Sequence, residues 1–338
     1  MTAAAQADAA SSGERGAGGD GNAPGGLHRT GATPAATVPP LPAGPAPEFS
    51  PLEVTDTATH TRWYTYVEPD PATPGPLPLV FAFHGGGGNM GVMYRALGFD
   101  NLPAPRPYLT VIPQGWNPKV GIAAQETAPP DEGIWNSGQS FAALQGSGPR
   151  DDVAFFDALL LEVTRRAATA GRRIDQSRTY AIGFSNGGMM TYRLAAERSA
   201  DLAAVAVMQA SIGGHPNPGN PVRRFHINHP ADHAAEPVSV LQLHGLVDPG
   251  ISLADGLIPT GRNPRTDLPV IDAVDTWVAH NNCDRSPSVE PHHNGVMRTW
   301  ANGDKGTRVK LLTMPEVGHE VPAGAMHLIE PFLLGTSK

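Results

Sequence analysis

The chain has 338 residues, enough for one large or two medium domains with an ample core. Its formal net charge of −8 at pH 7 argues against binding nucleic acid through its phosphates. No apolar run reaches the length of a membrane-spanning helix, and the single cysteine, Cys283, permits neither an internal disulfide nor a thiolate metal cluster.

Residues 1–51 are Ala, Gly, Pro, Ser and Thr with almost no large apolar side chain. Such a segment cannot bury enough surface to offset the entropy of ordering, so it is expected to be disordered. It also lacks the charged start and apolar centre of a secretory signal. Either the protein stays inside the cell, or the sequence begins after a signal that was removed. Folded structure is expected from Leu52 onward, as one domain over 52–338.

Arg62 to Val67 has the aromatic and β-branched content of a strand, and a Pro-rich turn follows. Leu77 to Phe83 is a nearly continuous apolar run, as in a strand buried on both faces, and leads directly into His84-Gly85-Gly86-Gly87-Gly88. Tyr108 to Pro113 is a further strand. The long irregular stretch from Gln114 to Gly148 carries Trp116, Trp135 and Phe141. Asp151 to Ala170 reads as a helix, with acids in the first turn, Arg165 and Arg166 toward its end, and Val153, Phe156, Leu160 and Val163 on one face. The apolar run from Thr179 ends at Gly183-Phe184-Ser185-Asn186-Gly187, and a helix is predicted to Glu197. Strands are predicted over Leu202 to Met208 and Val238 to Leu243, separated by a Pro- and His-rich segment, Gly213 to Pro237. A helix over Leu268 to Asn281, strands over Val296 to Trp300 and Arg308 to Thr313, and a helix over Ala323 to Leu334 complete the chain. Alternation of this kind predicts an α/β fold with a mostly parallel central sheet and helices on both faces.

In such sheets ligands bind beyond the carboxyl ends of the strands, and the chemistry-bearing residues fall there. Gly183 to Gly187 is a G-x-S-x-G sequence between a strand and a helix, where small residues two before and two after the serine let it be pushed outward. Asp248 and His319 each follow another predicted strand and are flanked by chain breakers. Their chain order, Ser…Asp…His, is that of an α/β-hydrolase. A serine hydroxyl needs a base to take its proton, that base must later protonate the leaving group, and a carboxylate fixes the tautomer of the imidazole. An oxyanion site completes the set, with donors expected from the backbone N–H of Asn186 and of Gly86. The glycine run is not a phosphate cradle of the G-x-x-x-x-G-K-[ST] type, since no lysine follows it.

These residues carry a resemblance. His84-Gly85-Gly86-Gly87, Asp151-Asp152-Val153-Ala154-Phe155, Gly183 to Met190, His244 to Pro249, Trp277 with Asn282-Cys283, and Gly318-His319 resemble the polyhydroxybutyrate depolymerase/feruloyl esterase-like group of α/β-hydrolases. The similarity runs from about Arg62 to Pro331. It implies a carboxylic-ester hydrolase without a cofactor, with Ser185 as nucleophile, His319 as base and Asp248 as its partner. The substrates expected are short-chain or hydroxyacyl esters, with polyesters of the polyhydroxybutyrate kind and feruloyl or acetyl esters as candidates among them. Many relatives pair the cysteine equivalent to Cys283 with a second one in the long loop; here there is no second cysteine. The segment around His319 lacks the Trp often found beyond the histidine, so polymer or feruloyl specificity is not carried over.

Other features have two readings. Trp116, Trp135 and Phe141 could form an aromatic substrate platform or simply pack the long loop. His226, His229 and His233 are better read as a solvated loop than as metal ligands, because Pro230 interrupts any helix that would align them. His84 is expected to order the oxyanion loop, and His244 to start the turn that presents Asp248. Two alternatives to ester hydrolysis remain open from sequence: acyl transfer to an alcohol on the same triad, and a non-catalytic binding module on the same fold. Oligomeric state is not legible.

Overall fold

The computed structural model describes residues 48–55, 59–100, 106–138, 151–213, 230, 233, 235–254, 257–258, 265–266 and 268–338. The disorder expected of the N-terminal segment lies outside the described residues as far as position 47, as do Phe141, His226 and His229.

The chain runs β1 (Ser50–Thr55), β2 (Thr59–Val67), β3 (Leu77–Phe83), α1 (Met90–Ala96), β4 (Leu109–Pro113), α2 (Ile122–Thr127), α3 (Asp152–Thr169), β5 (Ile174–Phe184), α4 (Asn186–Glu197) and β6 (Ala204–Met208). It continues through β7 (Ser239–Gly245), β8 (Leu257–Ile258), β9 (Arg265–Thr266), α5 (Val270–His280), β10 (Ser288–His292), β11 (Gly295–Trp300), β12 (Val309–Met314) and α6 (Ala325–Leu334). Among the described residues the first strand starts at Ser50, ahead of the expected Leu52, and Pro51 is accommodated because β1 is an edge strand.

Ten strands form one sheet in the order β1-β2-β4-β3-β5-β6-β7-β12-β11-β10. The central strands from β4 to β12 are parallel. An antiparallel pair closes each edge, β2 with β1 on one side and β11 with β10 on the other. The central strands β3, β4, β6 and β7 are largely apolar and are buried at every position, Thr110, Ser239, Gln242 and His244 being the buried polar residues among them. The edge strand β10 is almost wholly exposed.

Two cores lie on opposite faces of the sheet, and the period of two along each strand divides its side chains between them. Leu79, Phe81 and Phe83 of β3 join the core that holds Val153, Phe155, Phe156 and Leu159 of α3, Met189 and Tyr192 of α4, and Trp277 of α5. Val80 and Ala82 join the other, with Met90 and Met93 of α1 and Met326, Ile329 and Phe332 of α6. Along α3 the buried stripe is Val153, Phe155, Phe156, Leu159 and Val163. Leu160, expected on that face, is only partly buried at its edge. Asp151 caps α3, its carboxylate accepting from Val153 N and Ala154 N. No helix among the described residues is long and apolar enough to cross a membrane.

Candidate active site

At the carboxyl ends of the parallel strands, β5 passes into α4 through Ser185, the first residue of the turn with helical neighbours on one side only. Its φ of 52° and ψ of −123° are strained for a residue with a side chain. The strain persists because its surroundings leave no alternative. A Cβ at Gly183 would lie 2.2 Å from the Gly187 carbonyl oxygen, and one at Gly187 would lie 2.2 Å from that of Phe83. Ser185 N–H is tied to the Met208 carbonyl at the end of β6 (2.9 Å), and the hydroxyl stands at the start of α4, where helix N–H groups lack intrahelical partners.

The Ser185 hydroxyl donates to His319 Nε2 at 2.8 Å, and His319 Nδ1 donates to the Asp248 carboxylate at 2.9 and 3.0 Å. The carboxylate fixes the tautomer: Nδ1 keeps its proton and Nε2 is left to accept. Burial alone would raise the pKa of Asp248. Hydrogen bonds from His319 and from the Gly250 and Ile251 N–H groups outweigh that and hold it below the ordinary carboxylate range. The Asp248 side chain is 1% exposed and that of His319 29%, so the acid is shielded while the imidazole is reached by solvent. His244, at the end of β7, donates from Nε2 to the Ile251 carbonyl and so braces the same turn. Burial lowers its pKa and keeps it neutral, the Asp248 charge opposing. The Phe184 ring packs beside the His319 imidazole, centroids 5.2 Å apart.

The glycine run after β3 lies against this turn. A Cβ at Gly85 would sit 3.5 Å from Ser185 Cβ, and one at Gly86 would sit 3.4 Å from Asn186 Cβ. His84 orders the run. Its Nε2 accepts from Gly115 N–H at 2.9 Å, so the proton is on Nδ1 and is donated to the Gly85 carbonyl at 2.8 Å. Gly88 N–H donates to the same oxygen. A trans peptide points its N–H opposite to its C=O, so fixing the Gly85 carbonyl fixes the direction of the Gly86 N–H. Burial pushes the His84 pKa down to about 4, with the nearby Arg62 charge adding to it and the Gly85 hydrogen bond opposing.

The aromatic platform is where sequence reasoning needs correction. Trp135 is fully buried and Trp116 is 3% exposed, so neither offers a face to a ligand. Trp135 packs edge-on against Phe83, donates from Nε1 to the His84 carbonyl, and exchanges backbone hydrogen bonds with the Asn186 carboxamide. Asn186 also donates to Ser137 Oγ. The described part of the long loop, through Gly138, is thus a buttress for the glycine run and the start of α4. It is anchored in turn by a buried pair, Arg62 with Asp152 at 2.7 Å, whose second carboxylate oxygen accepts from Asn136 N–H at 2.6 Å. Asp152 was read from sequence only as a first-turn acid within a family-like motif, and Arg62 and Gln209, which bridges two of the loops, were given no role there. The only signal of those two is a polar residue beside an apolar run. Cys283 is a free, buried thiol, and no group of His, Cys, Asp and Glu among the described residues could hold a metal ion. His233 lies exposed.

No protein-family model matches the chain. It is 30% identical to NocK of Nocardia uniformis subsp. tsuyamanensis, which carries a provisional esterase name, over 87% of this chain and 85% of that protein. It is 26% identical to feruloyl esterase C of Emericella nidulans, over 72% of this chain and 71% of that one. Among solved structures, an acetyl xylan esterase from Aspergillus awamori superposes with a TM-score of 0.51 at 18% identity, covering 84% of this chain and 98% of that one, a likeness of fold. Sequence kinship over nearly the whole folded chain, on this sheet topology, makes the protein a carboxylic ester hydrolase belonging to the esterases of the α/β-hydrolase superfamily.

Proposed function

We propose that Ser185 is the nucleophile of this esterase, with His319 as general base and acid, Asp248 as the group that orients it, and the Gly86 and Asn186 N–H groups as the oxyanion donors. The observation that carries the reading is the continuous relay from Ser185 Oγ through His319 to Asp248, with separations of 2.8 and 2.9 Å. As Ser185 Oγ attacks the ester carbonyl, its proton passes to His319 Nε2 and the imidazolium is stabilised by Asp248. Negative charge develops on the carbonyl oxygen next to the start of α4, where the fixed N–H groups need no reorganisation to meet it. His319 then protonates the leaving alcohol, and water resolves the acyl-enzyme by the same steps in reverse.

Residues 52–338 form the catalytic domain in this reading. Its substrates are small carboxylic esters, with hydroxycinnamate esters the first to test. The name of the E. nidulans relative and the Phe184 ring beside His319, an apolar wall for an aryl acid, support that choice. The experiment is a comparison of wild type and Ser185→Ala on p-nitrophenyl butyrate, methyl ferulate, acetylated xylan and hydroxybutyrate oligomers, with and without a competing alcohol. Loss of all hydrolysis in the variant, and acid rather than transester as the wild-type product, supports the reading. Residual hydrolysis at the wild-type rate contradicts it.

A further inference from the structure

Resting on the reading of Ser185, His319 and Asp248 as a triad, we infer that Gln209 is a positioning residue that sets the three catalytic loops against one another. Gln209 follows β6 directly and is fully buried. Its φ of 47° lies in the left-handed region, uncommon for a residue with a long side chain. A polar side chain held buried in a strained backbone conformation is retained where its contacts over-determine it, and these contacts are specific. Gly245 N–H, three residues before Asp248, donates to Gln209 Oε1 at 2.9 Å. Gln209 Nε2 donates to the carbonyl of Gly318, the residue before His319, at 2.7 Å.

One carboxamide therefore spans the acid loop and the histidine loop, and its orientation is unambiguous, since an N–H faces one side and a C=O the other. The backbone supplies the third connection. Gln209 N–H donates to the Leu243 carbonyl of β7, and the preceding carbonyl, Met208, accepts from Ser185 N–H. The loops themselves fit closely at this point: a Cβ at Gly245 would lie 1.9 Å from the Val317 carbonyl oxygen and 3.0 Å from Gln209 Nε2. Leu246 N–H donates to the Met314 carbonyl at 2.9 Å. The end of β6 is thus a hub from which the nucleophile, the acid and the base loops are all held. Displacement of a reacting group by about 1 Å costs on the order of a hundredfold in rate, so the bridge is expected to act on kcat through the placement of His319 Nε2.

Two variants test this. Gln209→Asn tolerates the left-handed backbone better than glutamine but is one methylene too short to reach both loops. Gln209→Met keeps length and volume and loses both hydrogen bonds. Val205→Ala, buried near the start of β6 between its strand partners Ala181 and Val240, is the stability control. The expected result is a fall in kcat of about 10- to 100-fold in Gln209→Asn and Gln209→Met with KM within about twofold of wild type, and no such split in Val205→Ala at a comparable loss of melting temperature. Gln209→Asn and Gln209→Met with kcat within twofold of wild type, or a control that reproduces their loss, overturns the inference. Labelling of the wild type by a fluorophosphonate separates the two levels. If Ser185 is not the labelled residue, the triad reading has failed; if it is labelled while the variants turn over normally, the bridge alone has failed.

Discussion

Asp152→Asn is the perturbation whose size the structure fixes best. The Arg62 and Asp152 side chains are 2% and 1% exposed, and the guanidinium is held by Asp152, by the Gln114 carbonyl and by the face of Phe155, 4.1 Å from its centroid. Replacing the carboxylate by its isosteric amide keeps the packing but leaves the arginine charge buried without a counterion. Breaking one partner of a buried pair costs about 3–5 kcal/mol. The amide also turns an N–H toward either Arg62 or the Asn136 N–H, so one donor must lose its acceptor, at roughly 1–3 kcal/mol. These overlap, since one group is being changed, and the total is taken as about 4 kcal/mol. At about 2–4 °C per kcal/mol for a domain of this order of size, the melting temperature should fall by roughly 8–16 °C. Because Asn136 adjoins Trp135, which grips Asn186 and the His84 carbonyl, kcat should fall as well. Urea titrations give the free energy directly, with Glu162→Gln as the comparison. Its partner Arg165 is 65% exposed, and such pairs contribute about 0–1 kcal/mol. A loss in Asp152→Asn below about 1 kcal/mol, no greater than in Glu162→Gln, would refute the reasoning.

Three further outcomes are expected. The His84 imidazole has a pKa of about 4 when folded against 6.5 ordinarily, so between those values the unfolded chain binds the proton more tightly. Its contribution is complete above pH 6.5 and is lost as pH falls toward 4, by roughly 3 kcal/mol. Urea titrations near pH 7.5 and 4.5 should show that slope in wild type and a shallower one in His84→Asn; equal slopes would assign the acid sensitivity elsewhere. Asp248→Asn should lower kcat by about three to four orders of magnitude, because the amide can turn a donor toward Nδ1 and favour the wrong tautomer. Steady-state kinetics read this, and a loss below tenfold would remove Asp248 from its role. Gly187→Ala, whose Cβ would lie 2.2 Å from the Phe83 carbonyl oxygen, should fail to fold or melt far lower. Gly86→Ala, with its Cβ 3.4 Å from Asn186 Cβ, should keep the wild-type melting temperature. Matched thermal scans distinguish them.

The fold was legible because the central strands are buried on both faces and so read as unbroken apolar runs, Leu77 to Phe83 above all. What was missed lay at the margins. β1 carries a proline at its second position, β10 is an exposed strand interrupted by Pro291, and α1 is a short helix following glycines, so none has a strong period. The meeting of Ser185, Asp248 and His319 follows from each standing just past one of those apolar runs, since parallel strands deliver their carboxyl ends to one edge of the sheet. The supporting residues had no such signal. Whether Trp135 presents its face or buries it depends on Phe83 and His84, with three elements of the chain between them and it. Arg62 and Asp152 are 90 residues apart. Gln209 is one polar residue after an apolar strand, and only the approach of two distant loops gives its carboxamide something to hold.

The central claim is that Ser185 is activated by His319 to attack an ester carbonyl. Mass spectrometry of the protein after brief exposure to diethyl p-nitrophenyl phosphate tests it most directly, with Ser185→Ala and His319→Ala alongside. The account predicts a single adduct mapped to Ser185, absent from Ser185→Ala and formed orders of magnitude more slowly in His319→Ala. An adduct on another residue, or His319→Ala labelling at the wild-type rate, would contradict it.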